Sequence, residues 1–200
     1  YEEEEDSLLA LLPVIRDAMV RRTARSVDKA MLRGAGAGAD PVKGLVTYDV
    51  SSAVETAVGS AISVADLRAL RKDLGAWGLN PGELIFVVST DAYYDLLEDQ
   101  NFQTVDKVGS NATLLTGQIG SVGTTPVIVS AEFATKGIGE AAVVALHPGN
   151  FLVGNQRGMR FETDTLVETQ RKVLVASLRT GLTQVTTNLG GAVSVLRWKA

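Results

Sequence analysis

The chain has 200 residues, 46% hydrophobic and 21% charged, with a net charge of −4, 20 glycines and no cysteine. That size accommodates one domain or two small ones around a real core, and the composition is globular rather than disordered. The charge gives no electrostatic reason for nucleic-acid binding, the absence of cysteine removes disulfides, thiolate metal sites and a cysteine nucleophile, and the apolar runs are far too short for a membrane helix.

The acidic run Tyr1-Glu2-Glu3-Glu4-Glu5-Asp6 reads as a solvated end, placed where a helix N-terminus favours negative charge. It is the opposite of the basic start of a signal peptide. With Asp6 or Ser7 as N-cap, one long helix is expected over 7–33. Leu8, Leu11, Leu12, Ile15, Met19, Val27, Ala30 and Met31 recur at helical spacing, and Arg16, Arg21, Arg22 and Arg25 fall off that stripe. Such a helix runs about 40 Å, long for a domain of this size. Its stripe is expected to be buried against the domain's own sheet. Pro13 either kinks the helix or lies in the first turn of one that begins there. Gly34 is expected to stop it, with Gly34 and at least one of Gly36 and Gly38 at positive φ; Gly44 belongs to the same glycine-rich turn region. The chain starts without methionine, so more protein is expected upstream.

Leu45-Val46-Thr47-Tyr48 is expected as a short strand. Ser63-Val64-Ala65-Asp66 is a capping box that opens a second helix, with Leu67, Leu70, Leu74 and Trp77 on one face and Gly78 as its stop. Asn80-Pro81-Gly82 is turn chemistry. Leu84–Val88 reads as a strand covered on both faces. Ser89 or Thr90 then caps a helix over Asp91–Asp99, which buries Tyr94 and Leu97 with Tyr93 beside them. In the polar stretch Asn101–Gly123, Leu114, Leu115 and Ile119 are expected anchors. Pro126–Ser130 and Ala141–Leu146 read as further buried strands, joined by the loop Ala131–Glu140 with Gly137 and Gly139. A hairpin is expected over Phe151–Glu162, turning at Asn155-Gln156-Arg157-Gly158. A long strand is expected within Leu166–Val185, at least over Lys172–Arg179, and Thr186–Ala200 shows no readable pattern.

No stretch reads as an active site. The run Gly34–Gly38 has a helix before it and an extended segment after, the reverse of a phosphate loop, and lacks Gly-Lys-Ser/Thr; it reads as a flexible helix-to-strand loop. His147, the single histidine, precedes Pro148 as a turn residue. A Ser–His–carboxylate triad stays open by counting alone, but nothing around the serines resembles a Gly-x-Ser-x-Gly elbow. The Glu2–Asp6 run lacks the alternating spacing of a calcium loop. No catalytic, cofactor-binding or metal-ligating residue is therefore assigned. The arginines of the first helix read as a solvated or partner-facing side.

The order of motifs carries a resemblance. A long helix leads to Ala30-Met31-Leu32-Arg33-Gly34-Ala35-Gly36, then Pro41-Val42-Lys43-Gly44-Leu45. A capped helix, Asn80-Pro81-Gly82, a buried strand and Tyr94-Asp95-Leu96-Leu97-Glu98-Asp99 follow. Leu115-Thr116-Gly117-Gln118-Ile119-Gly120 then leads into Thr125-Pro126-Val127-Ile128-Val129-Ser130. This arrangement, over about Asp6 to Val185, resembles the major capsid proteins of tailed bacteriophages, with the Hong Kong 97-type fold. Family members carry a Gly-Asp-Gly-type turn where this chain has Gly34-Ala35-Gly36, and Gly123-Thr124-Thr125-Pro126 is one residue longer than the family's Gly-x-Pro-Val.

The resemblance implies an α+β capsid fold with a long spine helix, a peripheral domain from 1–50 and 166–200, and an axial domain from 51–165 built on a mixed sheet flanked by helices. The N-arm and E-loop that precede the spine helix in the family are not in this sequence. The implied function is structural, not enzymatic. The subunit self-assembles into pentamers and hexamers of an icosahedral shell that encloses phage double-stranded DNA without specific contacts. Portal, scaffold or decoration proteins are further partners, no membrane is involved, and the protein is assembled in the host bacterial cytoplasm and resides in the virion. The alternatives are an encapsulin-type nanocompartment shell, which shares the fold, and a small α/β enzyme. Expected subunit-interface residues are Arg16, Arg21, Arg22 and Arg25 on the spine, and Lys136, Gly137, Ile138, Gly139 and Glu140 at the five- and six-fold axes. Gln100–Ser110 is the second candidate for the axial position.

Overall fold

The computed structural model describes residues 11–38, 40–49, 54–99, 120–122, 124–166, 168, 171–186 and 192–200. Helix α1 (Leu11–Arg33) contains Pro13 as its third described residue. Its interior is otherwise free of helix breakers, and Thr23 Oγ1 and Ser26 Oγ donate back to the Met19 and Arg22 carbonyls at 2.8 and 2.9 Å. The expected burial of the whole stripe does not occur. Met19, Val27, Ala30 and Met31 are half-buried and Leu32 is fully buried, but Ile15 is 41% exposed and Val14 and Val20 are exposed as well. The first half of α1 overhangs the rest of the described chain, and only its second half meets neighbours.

The helix ends where two backbones nearly touch. The Gly34 amide closes the last turn on the Ala30 carbonyl at 2.9 Å, and the Gly44 amide donates to the Gly34 carbonyl at 2.9 Å. A Cβ on Gly34 would overlap the Val42 and Ala30 carbonyl oxygens, and one on Gly44 would overlap the Gly34 and Arg33 amide nitrogens. Gly34 is therefore required for space and not for a positive φ, which corrects the expectation for that residue. Gly36 and Gly38 do take φ of +71° and +64°. Between the two crossing points lies no flexible loop but a small hairpin of β1 (Ala35–Ala37) and β2 (Asp40–Lys43). Asp40 Oδ2 steadies it by accepting from the Ala35 amide at 3.2 Å.

Leu45–Tyr48 is a 3-10 turn and not a strand. The Thr47 amide and hydroxyl both donate to the Gly44 carbonyl, at 3.0 and 2.7 Å, which closes the chain locally before it can extend.

The core is a six-stranded mixed sheet in the order β3 (Val54–Ala57), β10 (Val193–Lys199), β7 (Ala141–Leu146), β4 (Ile85–Val88), β6 (Thr125–Val129), β5 (Gly120–Val122). β3 runs parallel to β10 and β4 parallel to β6, while β7 is antiparallel to both β4 and β10. All six residues of β7 are buried, as a strand covered on both faces requires. β10 places the unreadable C-terminal segment inside this sheet, between the edge strand β3 and β7.

One face of the sheet packs on helices α2 (Val64–Asp73) and α3 (Thr90–Glu98). There Leu67, Leu70 and Leu74 meet Phe86, Val88, Val127, Val143, Leu196 and Trp198. Asp66 accepts from the Ser63 amide at 2.8 Å, completing the capping box. α2 stops earlier than expected, because Gly75 turns the chain at φ +56° and a 3-10 turn over Gly75–Gly78 carries Trp77. α3 is capped by Ser89, whose Oγ accepts from the Ala92 amide at 3.2 Å. Its buried residues are Ala92 and Leu96, with Tyr93 and Leu97 half-buried; Tyr94, expected inside, points to solvent and is 63% exposed. Asp95 on this helix and Asp99 just past its end accept from the Ile62 and Val64 amides at 3.0 and 2.8 Å and so clamp the start of α2 onto α3.

The other face of the sheet, through Val144, Leu146, Val193 and Val195, meets Leu32 of α1, Leu45, Val46 and Tyr48 of the 3-10 turn, Phe133 and Phe151. Outside the sheet stands a separate two-stranded antiparallel ribbon, β8 (Phe151–Leu166) with β9 (Arg171–Gln184). Sixteen extended residues span about 50 Å. The hairpin expected to turn at Asn155–Gly158 does not turn there. The ladder shifts register between Asn155 and Arg157 and again between Arg157 and Arg160, so the turn-like residues are absorbed as irregularities within one strand. Thr180 Oγ1 donates to Asn155 Oδ1 at 2.7 Å across the first of them. The β9 expectation over Lys172–Arg179 agrees with the structure; the expected anchors Leu114, Leu115 and Ile119 lie outside the described residues.

Two paired substitutions test this packing. Gly44→Ala should cost about 3 kcal/mol through backbone overlap, whereas Gly38→Ala, with open space around its Cβ, should cost about 1 to 2 kcal/mol through its left-handed φ alone. Urea unfolding gives the order. By the same measurement Leu96→Ala should lose about 2 to 5 kcal/mol and Tyr94→Ala under about 0.5 kcal/mol; the opposite order would mean that the other face of α3 is the buried one.

Candidate subunit interfaces

Four of the candidate interface residues lie on α1. Met19, Thr23, Val27 and Ala30 form its half-buried line. Arg16 stands three residues before Met19, on the overhanging half of the helix, and is exposed. Arg21 pairs with Asp17 at 2.8 Å along the helix, both side chains exposed, a contact of little energetic weight. Arg25 Nε reaches Glu132 Oε1 at 3.4 Å, and the Glu132 side chain is only 23% exposed. This ion pair ties α1 to the loop 131–140. Arg22 is exposed and no described carboxylate pairs with it.

The other five candidates form the end of that loop, which is held from both sides. The Gly139 amide donates to the Trp198 carbonyl at 2.7 Å, the Trp198 amide to the Glu140 carbonyl at 3.0 Å, and the Glu140 amide to the Gly137 carbonyl at 3.1 Å. Gly139 takes φ +83°, which a side chain would oppose. Lys136 Nζ sits 4.0 Å from the centroid of the Trp198 ring, a cation–π contact that draws its charge inward. Ile138 is left 70% exposed on this fixed frame. The loop therefore presents an apolar side chain outward and does not tuck it into the core beneath.

A residue that the sequence did not single out links these parts. Arg197, on β10, donates to the Gly139 carbonyl at 3.2 Å and to the Val46 carbonyl at 3.3 Å, with Asp49 Oδ2 3.9 Å from its Nε. One guanidinium thus joins the loop, the 3-10 turn after the glycine crossing, and the sheet. Its role is hidden in the sequence because Thr186–Ala200 carries no pattern that marks Val193–Lys199 as a strand.

His147 lies just before the 3-10 turn Pro148–Asn150. Its Nε2 is 3.3 Å from Glu83 Oε2 and its ring packs 4.9 Å from that of Trp77. No described serine hydroxyl is hydrogen-bonded to it. Among the described residues no three His, Asp or Glu side chains gather as a metal site, and no helix is long and apolar enough to cross a membrane.

These surfaces can be set beside those of known proteins. The model of the phage capsid family matches residues 4–188. The major capsid protein of Escherichia phage T5 is 36% identical over 199 residues, an alignment that covers 96% of this chain and 43% of that protein. The chain thus spans less than half the length of this curated relative. Among solved structures, the capsid of an empty GTA particle superposes with a TM-score of 0.69 at 16% identity, covering all of this chain and 70% of that one. A Microbacterium phage Oxtober96 structure gives 0.70 at 14% identity, over 98% of this chain and 68% of that one. The holo-SrpI encapsulin complex from Synechococcus elongatus gives 0.59 at 13% identity, over 90% of this chain and 63% of that one. At such identities the structural likenesses establish the fold. The sequence matches go further, and together they show that this chain belongs to the phage capsid family and has its Hong Kong 97-type fold.

Proposed function

We propose that the chain is the shell-building portion of a phage major capsid subunit, which assembles with copies of itself into the pentamers and hexamers of an icosahedral shell around double-stranded DNA. The observation that carries this reading is the apolar surface that a single copy leaves uncovered: Val14, Ile15 and Val20 on α1, and Leu152, Val153, Val173 and Val175 on the β8–β9 ribbon. An isolated two-stranded ribbon and a half-overhanging helix are poor structures in water by themselves. Repeated contacts between identical copies cover such surfaces and close rings. The relation to the phage T5 major capsid protein supports the identity of the assembly.

In this reading α1, the small hairpin and the ribbon make up a peripheral domain, and the six-stranded sheet with α2 and α3 makes up an axial domain. Arg16, Arg21, Arg22 and Arg25 face a neighbouring subunit. Lys136–Glu140 faces the five- and six-fold axes, a position supported by an exposed Ile138 on a pinned backbone; the rival segment Gln100–Ser110 lies outside the described residues. The role is structural, without a catalytic step. An inner surface of negative charge, in keeping with the net charge of −4, lets packaged DNA slide without sticking, portal, scaffold or decoration proteins add further contacts, and the subunit is assembled in the bacterial cytoplasm into the virion. The encapsulin-type reading rests on likeness of fold alone, while the family and the curated relative are both capsid proteins.

Light scattering and negative-stain microscopy of the purified full-length protein should reveal megadalton particles; a discrete small oligomer would contradict the shell reading. Arg22→Glu should sharply reduce particle yield at moderate salt with an unchanged circular dichroism spectrum. Normal yield would remove Arg22 from the interface. Ile138→Asp should likewise leave the subunit folded and block ring closure, and a particle map that sets Lys136–Glu140 more than a subunit width from every rotation axis would refute the axial placement.

A further inference from the structure

Helix α2 buries Val64, Leu67 and Leu70 and turns Arg68 and Lys72 to solvent. Beyond it, the 3-10 turn Gly75–Gly78 folds back onto the helix. A Cβ on Gly78 would overlap the Arg71 carbonyl oxygen, so the close return depends on glycine. Arg71 fastens it, its Nε donating to the Gly78 carbonyl at 2.6 Å and its Nη2 to the Leu79 carbonyl at 3.0 Å. The result is an open cleft of about 410 Å³ lined by Arg68, Arg71, Lys72, Gly75, Gly78 and Leu79. The lining holds three cations and no carboxylate, and Leu79 on it is 78% exposed. Neither the shell interfaces proposed above nor the core uses this surface. Its chemistry suits an anionic segment with an apolar neighbour.

We propose that the cleft receives the acidic run Glu2-Glu3-Glu4-Glu5-Asp6 of a second copy of the chain, an inference that rests on the shell reading. Five successive carboxylates face three cations, and Tyr1 on one side of the run and Leu8 and Leu9 on the other supply apolar groups for Leu79. Geometry favours another copy over the same one. α2 packs on one face of the sheet, whereas α1 reaches the opposite face through Leu32. Leu11 lies about 30 Å back along α1 from that contact, on a half-helix whose residues 13–18 are all exposed. A link of five residues from Asp6 to Leu11 reaches at most about 18 Å, which limits how far the run can extend from the overhanging end of its own helix. DNA phosphates could also meet these cations, but the chain's net charge of −4 and its own five-carboxylate run favour the protein occupant.

The test uses the full-length protein with Arg68→Glu/Lys72→Glu, with Glu3→Lys/Glu4→Lys, and with all four changes together. Particle formation is followed by light scattering and negative-stain microscopy from about 50 to about 500 mM NaCl, where screening becomes strong. Each double variant should slow assembly about tenfold at low salt, and the four-residue swap should restore it. Circular dichroism checks the fold; should the reversal misfold, Arg68→Gln/Lys72→Gln gives a smaller slowing of the same kind. Assembly of Arg68→Glu/Lys72→Glu at the wild-type rate overturns the docking and leaves the shell reading intact. Slowed assembly that the swap does not restore overturns the choice of occupant. Unchanged assembly with weakened binding of a labelled DNA duplex identifies a phosphate-facing cleft and also overturns the proposal. Absence of particles from the wild-type protein overturns the shell reading, and the docking with it.

Discussion

The structure depends on two glycines that let one backbone lie directly on another. The Gly44 amide bonds to the Gly34 carbonyl, at a separation where any side chain on either residue would overlap main-chain atoms. This crossing fixes where α1 ends and forces the chain to return along its own helix. It delivers Leu45, Val46 and Tyr48 to the face of the sheet on which Leu32 also packs. Because the anchor is at one end, the other end of a 23-residue helix projects as a cantilever. The exposure of Val14, Ile15 and Val20 follows from that geometry.

The sheet supplies the stiffness the cantilever needs. Its interior strands β7 and β10 are covered from both sides, by α2 and α3 on one face and by the end of α1, the 3-10 turn, Phe133 and Phe151 on the other. Arg197 and the Arg25–Glu132 pair connect that second layer to the loop 131–140. The loop is thereby positioned by elements from three distant parts of the chain. Its exposed Ile138 is carried on a frame whose conformation does not need a partner to be defined. For a subunit proposed to occupy rings of two sizes, such a division between a rigid support and a small outward side chain is a physical advantage: contacts can differ while the fold does not.

Charge and apolarity are distributed differently over the surface. The ribbon and the overhanging helix expose branched apolar residues along their length, whereas the cations of α2 gather in one cleft and the carboxylates of Glu2–Asp6 in one run. Apolar contacts reward area with little directional preference, while charge pairing selects partners and governs encounter rates. A shell built from one kind of chain needs both, since every copy offers every surface to its neighbours.

Several features were legible in the amino-acid sequence because they are local. The Ser63–Asp66 capping box, the apolar runs of β4, β6 and β7, the end of α1 at Arg33 and the glycines at Gly36 and Gly38 follow from spacing and backbone sterics within a few residues. The order of motifs carried the family as well. Tertiary structure alone decided the rest. Whether Ile15 is covered depends on where the helix is anchored, not on its periodicity. Whether Asn155–Gly158 turns depends on a partner strand that begins more than a dozen residues later and can absorb the extra residues as irregularities. Leu45–Tyr48 has the composition of a strand, but the Gly44 carbonyl captures it as a 3-10 turn. Val193–Lys199 becomes an interior strand only because β3 and β7 hold open the place between them. Local sequence sets what each segment can become, and long-range hydrogen bonding and burial choose among those options, because their free energy comes from partners that the segment itself does not contain.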